Sequence, residues 1–144
     1  MEEKGQIILA WMRKNAGALL ALAVALLVAL ALNMGAVSVR FEEDALLVSA
    51  TFAGGDRIEY DDIRAARLAE DFDRGKRDSG VRTLRLEAGS YVNDLGLYRL
   101  YAYTAVPVCI DVRTNTRHVV FNAANERETR MLYDQLVERL PDVP

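Results

Sequence analysis

The hydrophobic positions of the chain fall into two contrasting patterns. Ala16 to Leu32 is an unbroken run made only of Ala, Gly, Leu and Val. From about residue 37 onward, apolar residues instead alternate with polar ones in short segments that turn residues separate. The first pattern predicts one long apolar helix, and the second predicts a β-sheet.

The apolar run is long enough to cross a bilayer. Together with the residues that follow it to Val37, it spans roughly 33 Å at a helical rise of about 1.5 Å per residue. It lacks the polar face that a surface helix of a soluble domain carries. We interpret residues 1–37 as a short segment and a transmembrane anchor; a cleaved signal peptide and a buried core helix are the alternatives. Cleavage is disfavoured because Met34 stands where a small residue is expected.

The charges on either side of the run indicate an orientation. Lys4, Arg13 and Lys14 precede it, whereas Arg40 follows it and is succeeded by acids. By the positive-inside rule, the N-terminus is cytoplasmic and the C-terminal domain is extracytoplasmic. The sequence therefore predicts a single-pass protein of the cell membrane.

Small residues recur at every fourth position inside the run. They form one stripe of the predicted helix, and such a stripe lets two helix backbones approach closely. The sequence therefore permits a homo-oligomer that pairs through this stripe, although alanine is frequent throughout the run. The stripe consists of Gly17, Ala21, Ala25 and Ala29.

Residues 38–144 carry the period of short β-strands. Because no connection is long and helical, we expect a sequential antiparallel meander rather than a parallel sheet. Gly54-Gly55, Gly89-Ser90 and Thr114-Asn115-Thr116 are predicted turns. The predicted strands are Val37–Glu42, Leu46–Phe52, Arg57–Tyr60, Ile63–Ala69, Val81–Glu87, Tyr98–Thr104, Val106–Val112 and His118–Asn122.

The final segment changes to a helical period. Asn125 followed by Glu128 predicts an N-cap with a capping box, and Pro141 ends the helix. We expect this helix to cover the apolar face of the sheet. Its own apolar face is formed by Leu132, Tyr133, Leu136 and Leu140.

Several segments between Val39 and Leu140 resemble the bacterial pleckstrin-homology-like (PH-like) domains of membrane-anchored proteins. Arg57 to Ile63 is similar to the family's junction between its third and fourth strands, and Leu95 to Tyr101 is similar to its glycine and aromatic segment. Gly80 and the Gly89-Ser90-Tyr91 segment add to the likeness. The resemblance implies an antiparallel half-barrel capped by a C-terminal helix. It also implies a binding or assembly role without a shared ligand or enzymatic chemistry.

The charge balance narrows the class of ligand. Lys and Arg total 18 against 21 acids, a formal net charge of −3, so a nucleic-acid partner is not expected. The acidic turn Glu42-Glu43-Asp44 disfavours inositol phosphate at the first hairpin. Five cations in two later loops are candidate contacts for an anionic surface, although solvated loop charge is the alternative. They are Arg74, Lys76 and Arg77 in the loop 71–80, and Arg113 and Arg117 beside the last hairpin.

Catalytic and metal chemistry have little support in the sequence. His118 is the one histidine and Cys109 the one cysteine, whereas a zinc site needs three or four ligands. Asp61 and Asp62 are adjacent, so their side chains point apart, and a turn explains them. We expect Cys109 to be a buried thiol. No cofactor and no enzyme activity are predicted; a small enzyme that uses Asp61, Asp62 or His118 is the least favoured hypothesis.

Two functions follow from these patterns. The first is a membrane-anchored binding module whose PH-like domain contacts a protein or peptide partner, or a lipid surface, through a sheet edge or an open barrel end. The second is a structural homo-oligomeric subunit that associates through its transmembrane helix. Tyr98, Leu100, Tyr101 and Tyr103 are interpreted as sheet packing rather than as a ligand surface.

Overall fold

The computed structural model describes residues 2–141. It divides the chain into two compact units between Met34 and Gly35. The sequence placed this boundary slightly later, between residues 37 and 38. Residues 35–37 belong to the second unit because Ala36 and Val37 already make hydrogen bonds within it.

The first unit consists of two helices. Helix α1 spans Glu2–Lys14 and helix α2 spans Ala16–Asn33. The 18 residues of α2 have a mean hydropathy of 2.4 and none is buried. The predicted apolar helix is confirmed, and by length and composition it is able to cross a membrane, as an anchor or as a signal sequence.

In the second unit, the described residues 35–141 form nine strands and one α-helix. A 3₁₀ turn, Tyr60–Asp62, joins the third and fourth strands. The domain is mainly β with a C-terminal helix, as predicted. The elements are β1 Val37–Phe41, β2 Ala45–Ala50, β3 Gly54–Glu59, β4 Ile63–Ala69, β5 Lys76–Arg82, β6 Leu86–Asn93, β7 Gly96–Tyr103, β8 Cys109–Thr114, β9 His118–Phe121 and α3 Glu126–Arg139.

The strands form two open sheets. The first is a three-stranded antiparallel sheet in the order β1-β2-β3, and the second has six strands in the order β4-β8-β9-β7-β6-β5. Neither sheet closes on itself, so the described residues form no complete barrel. Each sheet therefore has two outer strands.

The predicted meander is wrong in the second half of the domain. Strand β9 lies between β7 and β8, and it pairs with β7 in the parallel sense. The connection 104–108 carries the chain past the position that β9 later fills. Two interstrand spacings are about 10 Å, which five extended residues easily cover, so no crossover helix is needed.

The predicted strand Val81–Glu87 is also wrong. Strands β5 and β6 occupy the regions expected to be a loop and a turn, and residues 83–85 form the turn between them. Gly80 and Gly89 are paired across these strands with φ of 115° and 139°. An ideal Cβ on either would lie 2.7 Å from the Cα of the other. The glycines therefore allow two backbones to approach and do not mark turns.

Helix α3 begins as the sequence predicted. The side chain of Asn125 accepts a hydrogen bond from the Glu128 N–H at 2.8 Å, which is the N-cap interaction. Leu136 is fully buried, and Leu132, Tyr133 and Leu140 pack around the same core. The helix covers apolar residues of both sheets.

The six-stranded sheet has two different faces. We call the face against the three-stranded sheet and α3 the inner face, and the opposite one the outer face. The inner face contributes Leu86, Tyr101, Ile110, Val112, Val119 and Phe121 to the main core. The outer face carries a smaller cluster beneath Phe72, which consists of Tyr91, Tyr98, Leu100, Ala102, Cys109 and Val120.

Candidate functional site

Arg74 is held inside the domain. Its guanidinium donates to Glu87 Oε2 at 2.9 Å and to the carbonyl oxygens of Tyr103 and Val106 at 3.0 and 2.8 Å. The Tyr98 hydroxyl donates to the Arg74 carbonyl at 2.6 Å. These bonds fix the segment 70–75 over the outer face. Arg74 is therefore committed to the fold, with few donors left for an external anion.

A second charged cluster surrounds Asp111 on the outer face. Its carboxylate is fully buried and contacts three cationic or ionisable side chains. Arg67 Nε lies 2.8 Å and Arg113 Nη2 lies 3.2 Å from Oδ2, and His118 Nε2 lies 2.6 Å from Oδ1. Strands β4, β8 and β9 bring these residues together from separate parts of the chain.

Electrostatics explains why the buried Asp111 carboxylate is ionised. Burial acts to raise its pKa, but the hydrogen bonds from His118, Arg67 and Arg113 outweigh burial and hold the pKa well below its usual range. The nearby Cys109 thiol has a raised pKa because it is buried. A protonated, enclosed thiol is a poor nucleophile, so Cys109 is not an activated partner for this histidine and carboxylate pair. The arrangement therefore stabilises the negative charge of the buried Asp111 carboxylate.

Arg117 lies in a different network, between the two sheets. Its Nη1 is 3.4 Å from Asp56 Oδ1, and Arg99 Nε is 3.3 Å from Oδ2. The Tyr101 hydroxyl donates to the same Asp56 carboxylate at 2.5 Å. Burial, followed by this hydrogen bond, raises the pKa of Tyr101 to about 12. The structure therefore separates Arg113 from Arg117, although both flank one hairpin.

Lys76 and Arg77 lie on β5 and are exposed. Among residues 2–141, neither side chain has an ion pair or a hydrogen bond to another side chain. Lys76 is opposite Val92, and Val92 is opposite Leu97 on β7. Both apolar side chains are exposed. Of the five predicted cations, Lys76 and Arg77 are the pair that stays available to an external partner.

Strand β5 is an outer strand whose backbone is open. Within the described part of the chain, no side chain and no further backbone group bonds to residues 76–82 on the side away from β6. The other outer strands receive such contacts. Tyr133 donates to the Ala66 carbonyl on β4, Arg117 donates to the Arg57 carbonyl on β3, and the Tyr103 hydroxyl accepts from the Val37 N–H on β1.

A shallow groove lies between β1 and α3. Its volume is about 320 Å³, and its apolar walls are Val37, Val39 and Leu132. Glu128 and Gln135 from α3 supply polar groups at its rim. The groove offers apolar contact area but little directional hydrogen bonding.

The remaining predicted residues have structural positions. Asp61 and Asp62 lie exposed in the 3₁₀ turn, as a turn function requires. The acidic turn is partly neutralised, because Arg57 bonds to Glu42 at 2.6 Å and to Asp44 at 2.9 Å. Among residues 2–141, no group of three His, Cys, Asp or Glu side chains is arranged to hold a metal ion.

Sequence reasoning missed the position of β5 and the coverage of the outer face. The segment Lys76–Arg82 shows no alternation, because six of its seven residues are exposed and only Val81 is half-buried. Glu87 and Asp111 occupy alternating polar positions, which usually face solvent. Phe72, an aromatic residue inside the charged segment 70–78, was the available signal for a covering loop, because it packs against the outer-face cluster.

Comparisons of the chain with known protein families, with curated proteins and with solved structures find no match. The geometry of the domain therefore carries the functional argument.

Proposed function

We propose that this chain is a single-pass bacterial membrane protein whose β domain is a non-catalytic interaction module. In this proposal, the open edge of β5 receives an extended, acidic segment of a partner protein. The observation that carries the proposal is that, among residues 2–141, the backbone of β5 has no partner on its outer side and the adjacent Lys76 and Arg77 have no ion pair.

Helix α2 supports the membrane part of the proposal. Its 18 residues are apolar except for Asn33, carry no charge, and none of them is buried. Exposure of such an apolar surface to water is strongly unfavourable, and insertion of the helix into a bilayer removes this exposure. Lys4, Arg13 and Lys14 before the helix support a cytoplasmic N-terminus and an extracytoplasmic β domain.

The backbone of β5 supports the choice of an extended polypeptide as the partner. Outer strands present a row of N–H and C=O groups that a further strand satisfies. Many proteins protect such edges with charge, and β5 has a register shift between Arg77 and Ser79 together with exposed charges. These features disfavour pairing of β5 with a second β5, because like charges would be brought together.

Charge supports the choice of an acidic segment. Strand β5 carries Lys76, Arg77 and Arg82 against Asp78, a net charge of +2 from three cations and one acid. Arg82 is already paired with Glu87. An acidic strand therefore gains attraction from Lys76 and Arg77, whereas a basic one is repelled.

The PH-like character is part of the proposal. Two sheets that enclose a core with a C-terminal helix support it. The parallel pairing of β7 with β9 departs from the antiparallel half-barrel that the resemblance implies. A PH-like module is consistent with a binding role, but fold alone does not assign a ligand.

The membrane part is tested by fractionation of the full chain with a C-terminal tag. We expect the protein to stay in the membrane pellet after a carbonate wash and the tag to be cleaved by protease in intact cells. Protection of the tag until permeabilisation would reverse the orientation. Loss of the protein from the pellet would contradict the anchor.

The partner site is tested by photo-cross-linking from β5 in the intact membrane protein. A photoreactive residue at Ser79 is expected to capture a heterologous protein, and Lys76→Glu or Arg77→Glu is expected to reduce the captured band strongly. Arg127→Glu on α3 is the matched control, since this exposed arginine lies away from β5. An equal reduction by all three variants would contradict a site at β5.

The alternative is a homo-oligomeric subunit that pairs through α2. The continuous helix places Gly17, Ala21, Ala25 and Ala29 on one slowly drifting stripe, and this observation favours the alternative. Cross-linking that yields homodimers without a heterologous band would support it. Replacement of Ala21 and Ala25 by Leu should then abolish the dimer, with Ala23→Leu as the control.

A further inference from the structure

Two exposed apolar side chains project from turns of the β domain. Phe52, between β2 and β3, is 70% exposed, and Leu84, between β5 and β6, is 69% exposed. Phe52 also has a φ of 67°, a left-handed conformation that bulky residues rarely adopt. Neither packing within the domain nor backbone preference explains a phenylalanine at this position.

Both turns lie beside the point at which the chain enters the domain. The Thr51 N–H donates to the Ala36 carbonyl at 3.1 Å, and the Ala36 N–H donates to Thr51 Oγ1 at 3.0 Å. An ideal Cβ at Gly35 would lie 3.4 Å from Leu86 Cγ and 3.7 Å from Thr51 Cβ. Gly35 therefore lies between Thr51, the residue before Phe52, and Leu86, which follows Leu84 by two residues.

Hydrogen bonds hold the Leu84 turn in place. Thr83 Oγ1 accepts from the Arg85 N–H at 3.2 Å and from the Leu86 N–H at 3.0 Å. Thr104 Oγ1 donates to the Leu84 carbonyl at 2.7 Å. Because the backbone is fixed, the exposed leucine is a presented side chain and not the end of a loose loop.

A cation accompanies the two apolar side chains. Arg85 is exposed, and its guanidinium carbon lies 5.4 Å from the centre of the Tyr103 ring. Residues 82–86 contain no acid, and Glu87 is buried in its pairs with Arg74 and Arg82. Arg85 has no ion pair among residues 2–141, and apolar side chains beside such an arginine match the boundary between acyl chains and anionic headgroups.

The covalent chain restricts how far this surface lies from the bilayer. A single residue, Met34, separates Gly35 from Asn33, the last residue of α2. Two residues of extended chain span at most about 7 Å. When α2 crosses a membrane, Gly35 and the two turns beside it are therefore kept near the headgroup layer.

We propose that Phe52 and Leu84 insert into the lipid interface next to the anchor, while Arg85 contacts an anionic phospholipid headgroup. This inference rests on the proposed function, since it requires α2 to be in the membrane. It gives the β domain a second attachment to the bilayer, which restricts its rotation about the anchor.

The test uses the full chain with Trp11→Phe, reconstituted into vesicles of phosphatidylcholine and phosphatidylglycerol. Flotation with the vesicles is measured first. Tryptophan is then introduced singly as Phe52→Trp, Leu84→Trp or Leu97→Trp. Leu97 is the matched control, because it is 65% exposed but pairs with Val92, about 20 Å along β6 from Leu86.

We expect bromine-labelled acyl chains to quench the Phe52→Trp and Leu84→Trp proteins, with emission shifted to shorter wavelength, and to leave the Leu97→Trp protein unchanged. Adding Arg85→Glu to the Leu84→Trp protein should reduce quenching more in vesicles with phosphatidylglycerol than in phosphatidylcholine alone. Flotation without quenching at residues 52 and 84, or equal quenching at all three positions, would overturn the inference alone. Failure to float would overturn the proposed anchor and the inference together.

Discussion

The two faces of the six-stranded sheet are stabilised by different chemistry. The inner face is apolar, and it is enclosed by the three-stranded sheet and α3. The outer face combines a small apolar cluster with the buried carboxylates of Glu87 and Asp111. On the inner face, shape and apolar area stabilise the fold. On the outer face, each buried acid depends on cations from other segments of the chain.

The largest effect is expected on the inner face. Phe121 is fully buried in the main core, so Phe121→Ala removes a large side chain and leaves a cavity. We expect a loss of about 4 kcal/mol in the free energy of unfolding, measured by denaturant unfolding of the full chain. A loss below about 1 kcal/mol would show that the inner face is loosely packed.

A similar but smaller loss is expected when the contacts of Arg74 on the outer face are removed. Arg74→Met leaves Glu87 buried without its closest cation and removes two bonds to carbonyl oxygens. We expect a loss of about 3 kcal/mol.

The double variant Arg74→Met with Glu87→Leu distinguishes charge from packing at this position. Because it removes the buried acid as well, we expect it to recover most of the stability lost in Arg74→Met. A double variant as unstable as the single one would indicate that the carbonyl contacts of Arg74 dominate.

Because of Asp111, the contribution of the outer face to the free energy of unfolding depends on pH. Its native pKa is lowered, so its contribution is present above its unfolded pKa of about 4 and is lost as the pH falls below that value. Asp111→Asn should lose about 2 kcal/mol at neutral pH and show a flatter stability profile in acid. Asp134→Asn, on the exposed side of α3, is the control and should keep the wild-type profile.

The smallest effect on stability is expected at β5. Lys76 and Arg77 are exposed and unpaired among the described residues, so Lys76→Ala with Arg77→Ala should change the free energy of unfolding by less than about 0.5 kcal/mol. The same variant should weaken capture of the acidic partner at β5. A large loss of stability would instead assign these cations to the fold.

The elements with strong periodicity could be predicted from the sequence. The apolar run gave α2, and the period of Leu132 and Leu136 with the cap at Asn125 gave α3. Strand β5 was missed because hydrophobic alternation reports one buried face, and this strand has none. The position of β9 was missed because pairing order depends on contacts distant in sequence.

The candidate site was predictable in its cations but not in their environment. The sequence identified the five candidate cations as charged residues in loops or beside a hairpin. Their division into Arg74 in the fold, Arg113 on Asp111, Arg117 on Asp56 and a free pair on β5 depends on which segments cover which strand. Local sequence does not contain that information, since the partners lie far apart in the chain.

The insertion of β9 between β7 and β8 has a consequence for the order of folding. Strands β5, β6 and β7 form one half of the large sheet and β4 with β8 form the other, and β9 joins them. The two halves therefore unite only after residue 121 is available, late in synthesis. Such a long-range closure slows folding, so the nascent domain exposes two incomplete sheet fragments while α2 has already left the ribosome.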